Sequence, residues 1–525
     1  MSRMDKKKNR ISPERILWEI RRAFYSFRSS PVLAVLMVQC AAFIFVQSKG
    51  AGGLYLDMIP ILLLITVVSW FFVSVVHGNQ KIVIYTLLLL TVGTMLQSIF
   101  VKEAMLKTPE LYTGKNPMAG LQMQYVIGFA GAVVAGAVYY GWKKIASIKI
   151  CRLMFYLSVG ISLITLVFAA SVGNVKNWIR IGGLSIQTTE ITKLLYVFIC
   201  AGLLGTVEKP SAERIRAFYI VSAVQAAFLA VQSEYGTLLL VMLLFFTFLF
   251  LYVADIRLFA KTVAAMAVMV VMVIGAGMQL TRLQEANAWI GRLGIVRFFL
   301  AAYGKIANRF IYWLHPEKDA LGLGYQLIKA RESILLGGWF GTSSVTDLPV
   351  KTSDLVYPAL IQRCGMIFAL LVFVIFIFLW LEGIRLFIRK EDRYHQVVAA
   401  GLVCMLFYQA LIIIAGSTGL CPLTGITLPF ISSGGSSLLI SFILTGLLTV
   451  ISGNVKWKGT ESEETEKFFK KSKMAAKCLN YLHHFNDHFI NPNVRAAAGR
   501  LKGGGQTKRR SKGSHVRKRI YQGKH

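Results

Sequence analysis

Hydrophobic residues in this chain gather into long unbroken runs. Twelve can be read off, near 31–48, 58–77, 81–100, 122–141, 151–171, 190–206, 216–232, 235–253, 258–278, 366–388, 396–415 and 436–452. Most are around 17–22 residues long. Wound as an α-helix, such a run crosses the hydrocarbon layer of a bilayer, and it is far too long for a barrel strand. Backbone polar groups find no water in lipid, so each run must satisfy them internally. One such run is equally well a buried core helix. Twelve in succession, separated by charged loops, are not. The pattern predicts an all-α fold: a polytopic transmembrane helical bundle of about twelve spans.

Composition agrees. Of 525 residues, 55% are hydrophobic and 16% charged, where a soluble chain carries about a quarter charged. Mean hydropathy is +0.58. The net charge of +33 is placed unevenly. Lys6, Lys7, Lys8, Arg10, Arg15, Arg21, Arg22 and Arg28 precede the first run. Further basic loops lie at Lys143–Arg152, Lys209–Arg216, Arg257–Lys261 and Arg385–Arg393. With twelve spans all of these fall on one side, which the positive-inside rule makes the cytoplasm. Both termini are then cytoplasmic. The other side receives 101–121, 172–189, a large loop at 279–365 and another at 416–435. The tail 454–525 is basic, and its Gly, Ser and Lys content suits a disordered segment. Its charge is read as attraction to anionic lipid headgroups, with no nucleic-acid partner. Within it, 465–490 has the makings of a short amphipathic surface helix. Seven cysteines are scattered without metal-ligand spacing.

Function must come from polar residues that interrupt the apolar pattern. The first group is Asn177–Gly183 with Trp178, then Ser185, Gln187, Glu190 and Lys193. Glu190 and Lys193 are three apart and share a helix face. They either snorkel to the interface or line a site. The second is Gln232-Ser233-Glu234-Tyr235-Gly236-Thr237. A carboxylate there is costly without a partner or water. The third is the 279–365 loop, which contains Arg309, Trp313, Lys329, Arg331 and Leu348-Pro349-Val350-Lys351-Thr352-Ser353-Asp354. The fourth is 422–437, with two Pro, three Gly and Ser432, Ser433, Ser436 and Ser437. It reads as irregular backbone entering the last span, which membranes tolerate where it lines a cavity.

Together these segments resemble the SEDS family of shape, elongation, division and sporulation proteins (FtsW/RodA/SpoVE). Pro-Leu-Thr-Gly-x-x-Leu-Pro-Phe-x-Ser-x-Gly-Gly-Ser-Ser at 422–437 is similar to the family's most specific stretch. Trp178 through Lys193, Gln232–Thr237 and Leu348-Pro349 with Asp354 resemble its other motifs, in the same order. The resemblance covers roughly 120–453. It divides the chain into a basic segment 1–30, additional helices at 31–117, a SEDS-like core at 118–453 and the tail.

The resemblance implies a peptidoglycan glycosyltransferase of the bacterial cytoplasmic membrane, acting in division, elongation or sporulation. Its substrate would be lipid II, extended as undecaprenyl-linked glycan on the outer face, and its partner a class B penicillin-binding protein. The family's essential aspartate maps onto Asp354. A carboxylate there can take the proton of the acceptor hydroxyl. The leaving pyrophosphate needs positive charge, from Lys351, Arg331, Lys329 or Arg363, or from a divalent cation such as Mg or Mn. Trp178, Glu190, Lys193, Glu234, Ser432, Ser436 and Ser437 are candidates for the substrate cavity. No metal ligands are assigned. Some positions depart from the family pattern. Thr352-Ser353 precede Asp354 where His-Thr is expected, and an acidic pair expected soon after falls on Gln362-Arg363. A non-catalytic scaffold or a lipid-linked precursor transporter is therefore the alternative. An ordinary secondary transporter would show inverted repeats, and none is visible.

Overall fold

In the computed structural model the described residues are 32–453, apart from 115, 142–147, 169, 173–174, 182–183, 254, 287–288, 290–292, 320, 344–346 and 391. The basic N-terminal segment and the tail 454–525, with the surface helix expected at 465–490, lie outside the described residues.

Each of the twelve apolar runs forms a helix. They are α1 (Val32–Ser48), α2 (Gly52–Val75), α3 (Gln80–Lys107), α4 (Ala119–Gly141), α5 (Ile148–Phe168), α6 (Thr188–Leu204), α7 (Ala212–Val231), α8 (Tyr235–Phe248, continued by a π turn to Val253) and α9 (Ile256–Ala286). After an intervening helical region come Met366–Arg389, Arg393–Ser417 and Gly435–Gly453. Ten of the twelve are long and apolar enough to cross a membrane. The other two, α1 and α6, have 17 residues each. The ends are set by local chemistry. The Asn79 side chain accepts from the Lys81 amide at 3.0 Å and starts α3. Asp392 does the same for Tyr394 at 3.0 Å. Both satisfy amides that a helix start leaves without partners.

Residues 279–365 are not an open loop. α9 runs on to Ala286, and α10 (Gly294–Leu314), α11 (Leu323–Gly337) and α12 (Val356–Cys364) occupy most of the rest. The last three helices are then α13 (Met366–Arg389), α14 (Arg393–Ser417) and α15 (Gly435–Gly453). Residues 172–189 also differ from a plain loop. β1 (Ala170–Val172), β2 (Val175–Ile181) and β3 (Leu184–Gln187) form a three-stranded antiparallel sheet in that order. Trp178 pairs with Gln187 across it.

The helices differ in how deeply they sit. α3, α14 and α15 bury most of their side chains, whereas α9 buries almost none. Small residues allow close approach where apolar burial alone gives little drive in lipid. A Cβ on Gly93 of α3 would lie 2.1 Å from the Phe430 carbonyl oxygen. A Cβ on Gly128 of α4 would lie 2.6 Å from the Phe442 ring of α15. α3 therefore lies directly against the irregular segment 418–434 that precedes α15.

Candidate active site

All four polar segments meet at one end of the bundle, and the 418–434 segment is the hub. Three of the four described non-glycine residues with positive φ lie in these segments: Ser233 (61°), Val350 (42°) and Phe430 (64°). Side chains rarely adopt this conformation, and it persists only where surrounding contacts enforce it.

Asp354 is the last polar residue of a tight turn, Val350–Leu355, just before α12. The turn is closed by the Ser353 and Leu355 amides, which donate to the Val350 carbonyl at 3.0 and 3.2 Å. Three contacts hold it against its neighbours. Ser432 Oγ donates to the Ser353 carbonyl at 2.7 Å. The Ser433 amide donates to the Thr352 carbonyl at 2.8 Å. Gln97 Nε2 of α3 donates to Thr352 and Ile431 carbonyls at 3.2 and 3.0 Å. Gly425, with φ 72°, passes so near that its Cβ would lie 3.5 Å from Asp354 Oδ2. Desolvation raises the Asp354 carboxyl above the usual range, while a hydrogen bond from Ser353 and the charge of Arg309 pull it back.

Arg309, on α10, is the cation that faces this carboxylate. Its Nη1 donates to the Leu423 carbonyl at 2.8 Å, and its guanidinium lies 5.9 Å from the Tyr235 ring centre. Burial lowers its pKa, and the nearby Glu234, Tyr235 and Asp354 support its charge. The same helix donates from Trp313 Nε1 to the Gly419 carbonyl at 2.8 Å. α10 thus lies over 418–425 as a cover. Glu234 is held by Gln187 Nε2 at 3.4 Å and Thr237 Oγ1 at 3.3 Å. Desolvation pushes its carboxyl up to about 7.

Deeper in, Lys193 is fully buried. It donates to Glu190 at 2.7 Å and to Gln409 Oε1 of α14 at 2.9 Å. Gln409 Nε2 passes the link on to the Thr427 carbonyl at 3.0 Å and Ser437 Oγ at 3.3 Å. Ser436 Oγ accepts from the Gln187 amide at 3.2 Å. Glu190, Lys193, Glu234, Ser432, Ser436 and Ser437 therefore belong to one connected polar lattice around 418–437. Trp178 joins it through its strand pairing with Gln187.

The cations named from sequence are placed differently. Lys351 and Arg363 both pair with Glu103 of α3. Lys329 pairs with Glu332 at 2.7 Å on α11. Arg331 is exposed and lies beside Gly419, whose Cβ would be 3.5 Å from its Nε. Arg309 was visible in the chain as a motif residue, but only the packing of α10 on 418–425 gives it a role. Among the described residues, no three His, Cys, Asp or Glu side chains come together as metal ligands. The charge that bears on Asp354 is that of Arg309.

The family model described as cell cycle protein, FtsW/RodA/SpoVE, matches residues 79–456. That span takes in α3, which the motif resemblance had left outside. Stage V sporulation protein E of Bacillus subtilis (strain 168) is 28% identical over 388 residues, covering 71% of this chain and 96% of that protein. Peptidoglycan glycosyltransferase RodA of Mycobacterium tuberculosis (strain H37Rv) is 26% identical over 366 residues, covering 65% and 72%. A chain solved in a peptidoglycan synthase complex shares the fold, with a TM-score of 0.54 at 16% identity, covering 71% of this chain and 97% of that one. The matched span holds ten of the twelve apolar-run helices, α3 to α9 and α13 to α15, together with the polar lattice and the Asp354 turn, and the chain belongs to the FtsW/RodA/SpoVE family of cell cycle proteins.

Proposed function

We propose that this protein is a peptidoglycan glycosyltransferase that polymerises lipid II at the outer face of the bacterial cytoplasmic membrane. The observation that carries the reading is the Asp354 turn, held by Ser432, Ser433 and Gln97 with Arg309 opposite. Asp354 accepts the proton of the acceptor sugar hydroxyl. The oxygen then forms a bond to the donor's anomeric carbon as the bond to pyrophosphate breaks, with inversion. A base works best when its pKa lies nearer the working pH than a free carboxylate does, and desolvation moves Asp354 in that direction. Arg309 is the cation whose charge bears on Asp354, and it is available to meet negative charge as it develops on the pyrophosphate. No step is routed through a metal. The polyprenyl tails stay in the bilayer beside the bundle, so the substrate never leaves lipid.

A class B penicillin-binding protein fits as partner, because polymerised strands need crosslinking. The scaffold alternative keeps the lattice but not the chemistry, and one experiment separates the two. Full-length protein is reconstituted with its partner transpeptidase and given lipid II. Glycan strands are expected from the native chain and none from Asp354→Ala or Asp354→Asn. Polymerisation by Asp354→Ala at the native rate would remove Asp354 as base. Absence of product from the native chain, with the partner present, would favour the scaffold.

A further inference from the structure

The segment bearing Asp354 is gripped on both flanks by a single carboxylate. Glu103 stands in the last turns of α3. Its Oε2 pairs with Lys351 Nζ, and its Oε1 pairs with Arg363 Nη2. Lys351 lies three residues before Asp354, and Arg363 nine after it. The side chains are only 16%, 20% and 6% exposed for Glu103, Lys351 and Arg363. Shielded from water, such pairs are stronger and more directional than surface ones. The Lys351 ammonium also sits 5.5 Å from the Phe100 ring centre. Gln97, Phe100 and Glu103 are spaced by three along α3 and so share one face. That face is the bed on which the Asp354 turn rests. Position 363 falls where the family resemblance leads one to expect an acid. Here it is a base, and the acid comes from α3 instead.

We propose that Glu103 is a positioning residue for glycosyl transfer: by clasping Lys351 and Arg363 together it fixes the turn that aims Asp354 at the acceptor hydroxyl. This rests on the reading of Asp354 as base. Glu103 acts through Lys351 and Arg363. Without it, two like charges are left close together at the flanks of the turn, and the turn is free to shift. A displacement of about 1 Å in a reacting group costs roughly 10²-fold in rate.

The test is lipid II polymerisation by the full-length chain reconstituted with its transpeptidase partner. Glu103→Gln is expected to lower kcat by roughly 10²-fold, with KM for lipid II little changed. Glu103→Asp, which keeps the charge at shorter reach, loses less. Glu103→Lys combined with Arg363→Glu reverses the pair between positions 103 and 363. This double variant is expected to be more active than either single change. A simple folding defect would lower the yield of active protein without this reciprocal recovery. Native kcat in Glu103→Gln overturns the proposal, as does a double variant no better than its worse parent. Asp354→Ala, run alongside, separates the two readings. If it is inactive while Glu103→Gln is fully active, only the clasp fails. If it polymerises normally, the base assignment fails and the clasp with it.

Discussion

At the residue scale, charge arrangement decides the chemistry. Arg309 stands between two carboxylates, Asp354 and Glu234, and its charge lowers the pKa of both. Arg309→Gln removes that field and the group best placed for the pyrophosphate. The rate should fall by about 10²–10³-fold, the usual cost of losing one preorganised donor. The acid limb of the pH–rate profile should also move to higher pH, because Asp354 loses the cation that holds it ionised. Arg309→Lys should recover part of the rate but not all, since an ammonium keeps the charge without the planar fork. A pH profile that does not move would disconnect Arg309 from Asp354. Glu234 gives a second test. Its carboxyl rises from 4.5 to about 7 because it is desolvated. The stability it lends is complete below its unfolded value and is lost as pH rises through the folded one. Between those limits the folded protein holds a proton that the unfolded chain has released, so stability falls with rising pH. The melting temperature of the native chain should therefore drop between pH 5 and 7.5 relative to Glu234→Gln. A gap independent of pH would mean that the carboxyl is well solvated.

At the element scale, the site depends on where irregular backbone is pinned. The 418–434 segment meets α3 through Gly93, α8 through Gly236, α10 through Leu423 and the Asp354 turn through Ser432. Gly425 is its one glycine that combines a positive φ, 72°, with the Asp354 carboxylate as neighbour, its Cβ falling in ordinary contact at 3.5 Å. Gly425→Ala should cost about 1–2 kcal/mol in backbone strain, and relief of that strain shifts the backbone that runs beside Asp354. Activity should fall further than that loss of stability explains, and comparing melting temperature with kcat checks it. Equal losses would make Gly425 a purely structural glycine. The same segment shows what sequence could and could not reveal. Its Pro, Gly and Ser content announced irregular backbone, and the apolar runs announced the spans, because both signals are local. The strands at 170–187 escaped notice because they are short and lack clean alternation. α10 read as loop because its apolar residues are spaced around a helix and not gathered in a run. The partners of Lys351 and Arg363 were invisible because Glu103 is 248 and 260 residues away. Arg309 was passed over for the same reason, since only tertiary packing brings α10 onto Leu423.

At the scale of the whole molecule, the chain divides into parts with different duties. The family match begins at residue 79, so α1 and α2 lie outside it. Every side chain assigned to the site, from Gln97 to Ser437, lies on α3 or beyond. The hairpin holds itself together by Gln39 Nε2 donating to Thr66 Oγ1 at 3.1 Å and the Tyr55 hydroxyl donating to the Gln39 carbonyl at 3.3 Å. It touches the core through apolar side chains such as Ile65 and Phe72, which line a small gap against Phe442 and Thr445, and through Gln122 Nε2, which donates to the Asp57 carbonyl at 2.9 Å. In a bilayer, lipid tails replace apolar helix contacts at little cost, so such an interface contributes mainly through packing. A chain lacking residues 1–75 should therefore insert, fold and polymerise lipid II at most of the native rate, with a lower melting temperature. Asp354→Ala in that background should still abolish product. If the shortened chain is folded but inactive, the hairpin shapes the active end of α3, where Gln97 and Glu103 stand, and is part of the catalytic unit. The prediction is sharp because α3 carries both interfaces: its buried faces hold the hairpin on one side and the Asp354 turn on the other.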